Sequence, residues 1–143
     1  RSHHAALVHD GAIYLVGGFG EDGRARDDVL RATIGKDGAL GAWQVVSRLD
    51  AGLAAHAAVV HDGALWVIGG AVDATQASDR VLRAPFNADG TLAAWEVTEA
   101  TLPTARAHVR QVPVLGDRLF SIGGTREGRA IDEVVVGRFT GSR

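Results

Sequence analysis

The sequence predicts an all-β repeat protein built from short antiparallel strands. Three observations carry that expectation: one stretch written twice, a glycine doublet written three times, and apolar runs too short for most helices. Residues 4–18, HAALVHDGAIYLVGG, return almost unchanged as HAAVVHDGALWVIGG at 56–70. Gly17-Gly18, Gly69-Gly70 and Gly123-Gly124 are spaced by 52 and 54 positions. Val29-Leu30-Arg31-Ala32 returns as Val81-Leu82-Arg83-Ala84, and Trp43 in LGAWQV returns as Trp95 in LAAWEV, each 52 later. A period near 50 belongs to architectures in which one supersecondary unit cannot bury its own apolar face and must stack on the next. The chain therefore reads as a single repeat domain over 1–143, with repeat 1 at 1–52, repeat 2 at 53–104 and an incomplete repeat 3 at 105–143.

Within a repeat the elements follow in order. Residues 4–9 and 12–17 are apolar runs of strand length, and Asp10-Gly11 between them, repeated as Asp62-Gly63, suits the positive φ angles of a two-residue hairpin turn. In the third unit the turn is Gly116-Asp117, a reversed order that still allows a tight reversal. A third strand is expected at about 28–34, 80–86 and 131–139, and a fourth around Trp43 and Trp95, after the turns Asp37-Gly38 and Asp89-Gly90. Four antiparallel strands per period describe one blade of a β-propeller. The glycine doublets read as strand-end punctuation, because no helix follows them to make a phosphate-cradling loop. The recurring tryptophans read as packing between blades.

On these residues the chain resembles the kelch family of β-propellers. Arg1-Ser2, Tyr14, Gly17-Gly18 and Trp43 match the family pattern in the first unit, Trp66, Gly69-Gly70 and Trp95 in the second, and Phe120 with Gly123-Gly124 in the third. The resemblance implies three blades of four strands, the last lacking its Trp-bearing fourth strand. Kelch rings usually hold six or seven blades, and an open arc would leave two apolar blade faces and unpaired strand edges in water. The reading expects a homodimer in which two copies, head to tail about a twofold axis, close one six-bladed ring. Its rival is an excised, engineered or evolutionary fragment of a longer propeller, favoured by the end at Gly141-Ser142-Arg143 where a fourth strand is due.

The resemblance also places a ligand face at one mouth of the central channel, on residues just before each first strand and just after each doublet. Carried over, the first set is Arg1 and Ser2, Leu53 and Ala54, and Ala107 and His108, with Arg106 beside them. The second set is Phe19, Ala71 and Thr125, followed by Gly20, Val72 and Arg126. The candidate face is therefore Arg1, Ser2, Phe19, Arg106, His108, Thr125 and Arg126.

Charge is nearly balanced, with 15 Lys plus Arg against 17 Asp plus Glu, which argues against nucleic acid or an anionic membrane as partner. No cysteine is present, so disulfides, thiolate metal sites and cysteine nucleophiles drop out. No apolar run approaches the ~20 residues of a membrane span, and RSHH at the start is too polar for a signal peptide. A soluble chain is expected, with its compartment undetermined.

Among the six histidines, His4 matches His56 and His9 matches His61, which points to blade-level packing rather than a metal site. His3 and His4 are adjacent in an expected strand and so should face opposite ways. The acidic pairs Glu21 and Asp22, Asp27 and Asp28, and Asp132 and Glu133 fall in or beside loops, where exposed charge is ordinary. No nucleophile elbow, His-Glu-x-x-His or dinucleotide fingerprint occurs. The copper radical oxidases among the relatives need cysteine and several tyrosines, against Tyr14 alone here. The expected function is a non-catalytic interaction or scaffolding module with no cofactor. It takes itself and an unidentified protein or carbohydrate as partners, with a carbohydrate-active enzyme as the last alternative.

Overall fold

A computed structural model describes residues 1–140; Gly141, Ser142 and Arg143 lie outside the described residues. The described chain is all strand and turn, arranged as consecutive antiparallel sheets. The first blade holds β1 (Ala5–His9), β2 (Ala12–Val16), β3 (Asp28–Thr33) and β4 (Gln44–Arg48), in that order across the sheet. The second repeats it with β5 (Ala57–His61), β6 (Ala64–Ile68), β7 (Arg80–Pro85) and β8 (Glu96–Thr101). Trp43 and Trp95 each sit one residue before their fourth strand rather than inside it.

The third sheet has three strands, β9 (Val114–Leu115), β10 (Arg118–Ile122) and β13 (Val134–Arg138), in the order β13-β10-β9. A small separate hairpin, β11 (Thr125–Arg126) with β12 (Arg129–Ala130), fills the loop between β10 and β13.

The hairpin turns do what their residues allow. At Asp10-Gly11 φ is 45° and 68°, and at Asp62-Gly63 it is 47° and 66°, the positive pair of a type I′ turn whose twist matches the strands it joins. That turn fixes the register His9 to Ala12 and His61 to Ala64, which sends alternate residues of β2 into the core, while β6 buries residues on both of its faces.

The core lies between blades rather than within one. Tyr14, Val16 and Val29 of blade 1 pack on Leu65, Val67, Leu82 and Ala84 of blade 2, joined by Leu92 and Trp95. Ile68 and Leu102 of blade 2 pack on Val109, Val112 and Leu119 ahead of and within blade 3. Each fully buried aliphatic side chain contributes about 1.5–3 kcal/mol, so a blade gains its stability from its neighbour. The recurring histidines belong to these joints. His9 stacks on Phe86 at 4.1 Å between ring centroids, and His61 stacks on Phe139 at 3.8 Å.

Candidate functional site at the channel mouth

The inner strands β1 and β5 are neighbours, and the residues that enter them gather at one end of these strands, where the resemblance places a channel mouth. Three isolated bridges repeat there: Ser2 to Phe19, Ala54 to Ala71, and Ala107 to Thr125. They set the true alignment of the repeats. Arg1, Leu53 and Arg106 are equivalent, and so are His3, Ala55 and His108, whose φ angles of 56°, 54° and 55° mark the same tight bend. The expected pairing of Ala107 and His108 with Arg1 and Ser2 is therefore corrected by one position. Repeat 3 carries one more residue between its arginine and its glycine doublet.

The structure brings Ser2, Phe19, His108 and Thr125 together. His108 Nδ1 lies 2.8 Å from Thr125 Oγ1, and Ser2 Oγ lies 3.0 Å from His3 Nδ1. The rings of His3 and His108 meet edge to face at 5.4 Å, and His3 meets Phe19 at 5.8 Å. Between the inner strands is a recess of about 190 Å³ lined by His3, His4, His56, His108 and Arg110 among alanines. Beside it a smaller cavity of about 100 Å³ runs from Phe19 past Ala71 to Thr125 and Glu127.

The other candidates lie elsewhere. Arg106 is fully buried, with Nη2 2.7 Å from Glu133 Oε2 and Nη1 donating to the Gly123 carbonyl at 3.2 Å, so no ligand can reach it. Arg1 makes the equivalent contacts in blade 1, to Asp28 Oδ1 at 2.7 Å and to the Gly17 carbonyl at 3.0 Å. The hydrogen bond from Arg1, opposed by burial and helped by the charges of Arg1 and Arg48, holds the Asp28 carboxyl below its ordinary range. Both arginines are clasps between a blade's entry and its third strand. Arg126 sits on the β11–β12 hairpin and lines a different recess, with Gln76, Pro103 and Glu127.

Sequence reasoning missed His3, His4 and Arg110. His3 and His4 do not face opposite ways, because His3 turns in the bend before β1 and both line the same recess. His56 is the buried member: burial first, and His4 second, push its pKa down to about 4, with the Val16 backbone opposing them. Neither of its ring nitrogens has a hydrogen-bond partner. Burial, then the positive charge around Arg1, also lowers His4. The recess therefore offers nitrogen donors and acceptors and no carboxylate among its lining residues. The acidic pairs are engaged as ion-pair partners, Asp22 with Arg26, Asp27 with Arg48 and Glu133 with Arg106. Among the described residues no group of three or more His, Cys, Asp or Glu is placed to hold a metal ion. Among the described residues no helix is long and apolar enough to cross a membrane.

Comparison with known proteins follows the geometry. The Kelch motif matches residues 1–31. No curated protein is similar enough to match the chain. The solved structure of YjhT superimposes with a TM-score of 0.76 at 18% identity, over 99% of this chain and 44% of that one. At that identity the likeness speaks for fold alone, and this chain spans less than half the length of its neighbour. With a kelch motif on its first repeat and the same four-stranded sheet geometry repeated in the second, the chain is a run of β-propeller blades.

Proposed function

We propose that the chain is a non-catalytic interaction or scaffolding module whose ring is closed by two copies meeting head to tail as six blades. One observation supports this above the others: both outer faces are apolar, and their counterparts inside the chain are buried. On blade 3, Ile122 and Val134 are 55% and 58% exposed, whereas the equivalent Val16 and Val29 of blade 1 are at 0%. On blade 1, Leu40 is 50% exposed, whereas the equivalent Leu92 of blade 2 is at 8%. The leading face of blade 1 thus offers the surface that blade 2 uses to pack on blade 1, and the trailing face of blade 3 offers the matching one. The channel mouth, with its histidines, would be shared by the closed ring.

Light scattering on a sizing column over a range of concentrations tests the closure. A mass near twice 14.9 kDa is expected. A monomer at every concentration sinks it and favours a second reading, in which further blades of a longer chain cover the same faces. The 44% coverage of the YjhT chain is what favours that reading. Turnover of any member of a sugar panel would overturn the non-catalytic assignment.

A further inference from the structure

The arginine clasp of blades 1 and 3 is missing from blade 2, and a cavity stands in its place. In each repeat the first glycine of the doublet donates its N–H to the carbonyl of the residue that opens or just precedes β3, β7 or β13: Gly17 to Asp28, Gly69 to Arg80 and Gly123 to Glu133. These bonds align the three sites. Arg1 spans from the Gly17 carbonyl to Asp28, and Arg106 from the Gly123 carbonyl to Glu133. Blade 2 has the buried Leu53 in place of the arginine and Arg80 in place of the carboxylate, and Arg80 Nη2 is held by Asp50 Oδ2 at 2.6 Å. Among the described residues the Gly69 carbonyl accepts no hydrogen bond, although both of its counterparts accept from a guanidinium. Leu53, Gly69 and Arg80 all line one cavity of about 300 Å³, together with Asp50, Asp79 and Leu82. Asp79 matches Asp27, since each gives its backbone carbonyl to a leucine N–H, from Leu102 and Leu49. Asp27 is paired with Arg48, but the strand register puts Thr101 at that position in blade 2, and Asp79 has no ion-pair partner among the described residues. The charged lining of the cavity is therefore two carboxylates against one guanidinium that is already engaged.

We propose that this cavity binds a guanidinium group, the arginine side chain of a second polypeptide, which completes from outside the clasp that blades 1 and 3 make with their own arginines. The planar fork donates to the Gly69 carbonyl and to the Asp79 carboxylate, and the aliphatic stem lies on Leu53 and Leu82. Every residue of the site belongs to the middle repeat or to the crossover that leads into it, so the site does not depend on what covers the outer faces of blades 1 and 3.

The probe is Nα-acetyl-arginine amide, titrated into the full chain and followed by amide chemical shifts. Saturable shifts are expected at Leu53, Gly69 and Asp79. Nα-acetyl-citrulline amide, which keeps the shape and loses the charge, should bind roughly tenfold more weakly. Nα-acetyl-lysine amide, a point charge without the fork, should bind several-fold more weakly. Leu53→Arg supplies the chain's own guanidinium and should close the cavity to the probe. Asp79→Asn, at an exposed position, should weaken the arginine probe several-fold and keeps the test independent of that change in the core. Light scattering on the same samples separates this site from ring closure, since a monomer that binds the probe retains the first and loses the second. Absence of saturable shifts, equal binding of the citrulline or lysine amide, or shifts confined to residues outside the cavity would overturn the site.

Discussion

The hydroxyl of Tyr14 in blade 1 donates to the carbonyl of Gly90 in blade 2 at 2.8 Å, a bond between residues 76 positions apart. The same hydroxyl accepts from Arg31 Nε at 3.0 Å, so the ring is anchored on both sides of the joint while its edge rests on Phe86 at 5.3 Å. Tyr14→Phe keeps the ring and removes the anchor. A loss of about 1–2 kcal/mol is expected, read as a lower urea midpoint with an unchanged slope. An unchanged midpoint would mean that apolar contact alone holds the joint.

Arg106 and Arg1 make matched contacts in unequal surroundings, and the surroundings decide what each is worth. Arg106→Ala removes a buried cation from Glu133 and from the Gly123 carbonyl and leaves space behind, for a cost of about 3–5 kcal/mol. Arg1→Ala breaks a pair whose side chains keep 19% and 17% exposure and should cost less, about 1–2 kcal/mol. Arg106→Leu should fall between them, because blade 2 already holds Leu53 at this position. Equal melting shifts for Arg1→Ala and Arg106→Ala would refute the distinction.

His56 should make the protein acid-sensitive. Its folded pKa of about 4 lies below the unfolded value of 6.5, so the folded state binds the proton less readily. The stability present above pH 6.5 is lost as pH falls towards 4, by on the order of 3 kcal/mol in all. His56→Phe removes both unpartnered nitrogens and should flatten the curve of denaturation midpoint against pH. A slope that survives that substitution would assign the sensitivity to other groups.

The glycine doublets hold the blades at contact distance. A Cβ on Gly17, at φ 55°, would strike the Leu53 carbonyl of the next repeat's entry, and one on Gly69, at φ 62°, would meet the Arg106 carbonyl at 2.7 Å. Gly11 has a similar φ of 68° with nothing within 4 Å. Gly11→Ala should therefore cost about 1 kcal/mol, the conformational term alone, and Gly17→Ala several times more. Thermal melts of the two variants give the comparison directly, and similar shifts would deny the close approach.

Much of the fold was legible because the apolar alternation is bounded by unambiguous turns. The strands at 4–9 and 12–17 are found at Ala5–His9 and Ala12–Val16, since Asp10-Gly11 and Gly17-Gly18 leave them nowhere else to end. The β11–β12 hairpin was missed because its four residues carry no apolar signal; Glu127-Gly128, with φ 49° and 73°, was the available sign of a turn. The mouth was read less well. Counting back from the glycines misplaced Arg106 and His108 by one, because the third repeat has an inserted residue. That Arg106 is buried while its twin Arg1 is not depends on which blade lies alongside, and a pattern within one repeat does not carry that.

The stacks His9 on Phe86 and His61 on Phe139 make each blade answerable only to the next one along. Within a single chain taken by itself, blade 2 alone is held on both sides, whereas a closed ring would hold all three. Unfolding is therefore a matter of ends and middle: blade 3, with its smaller side chains and short inner strand, should fray first, and β5–β7 should keep their amide protons longest. A chain organised in this way behaves as a linear lattice, in which the order of opening is set by position in the row rather than by the strength of any single contact.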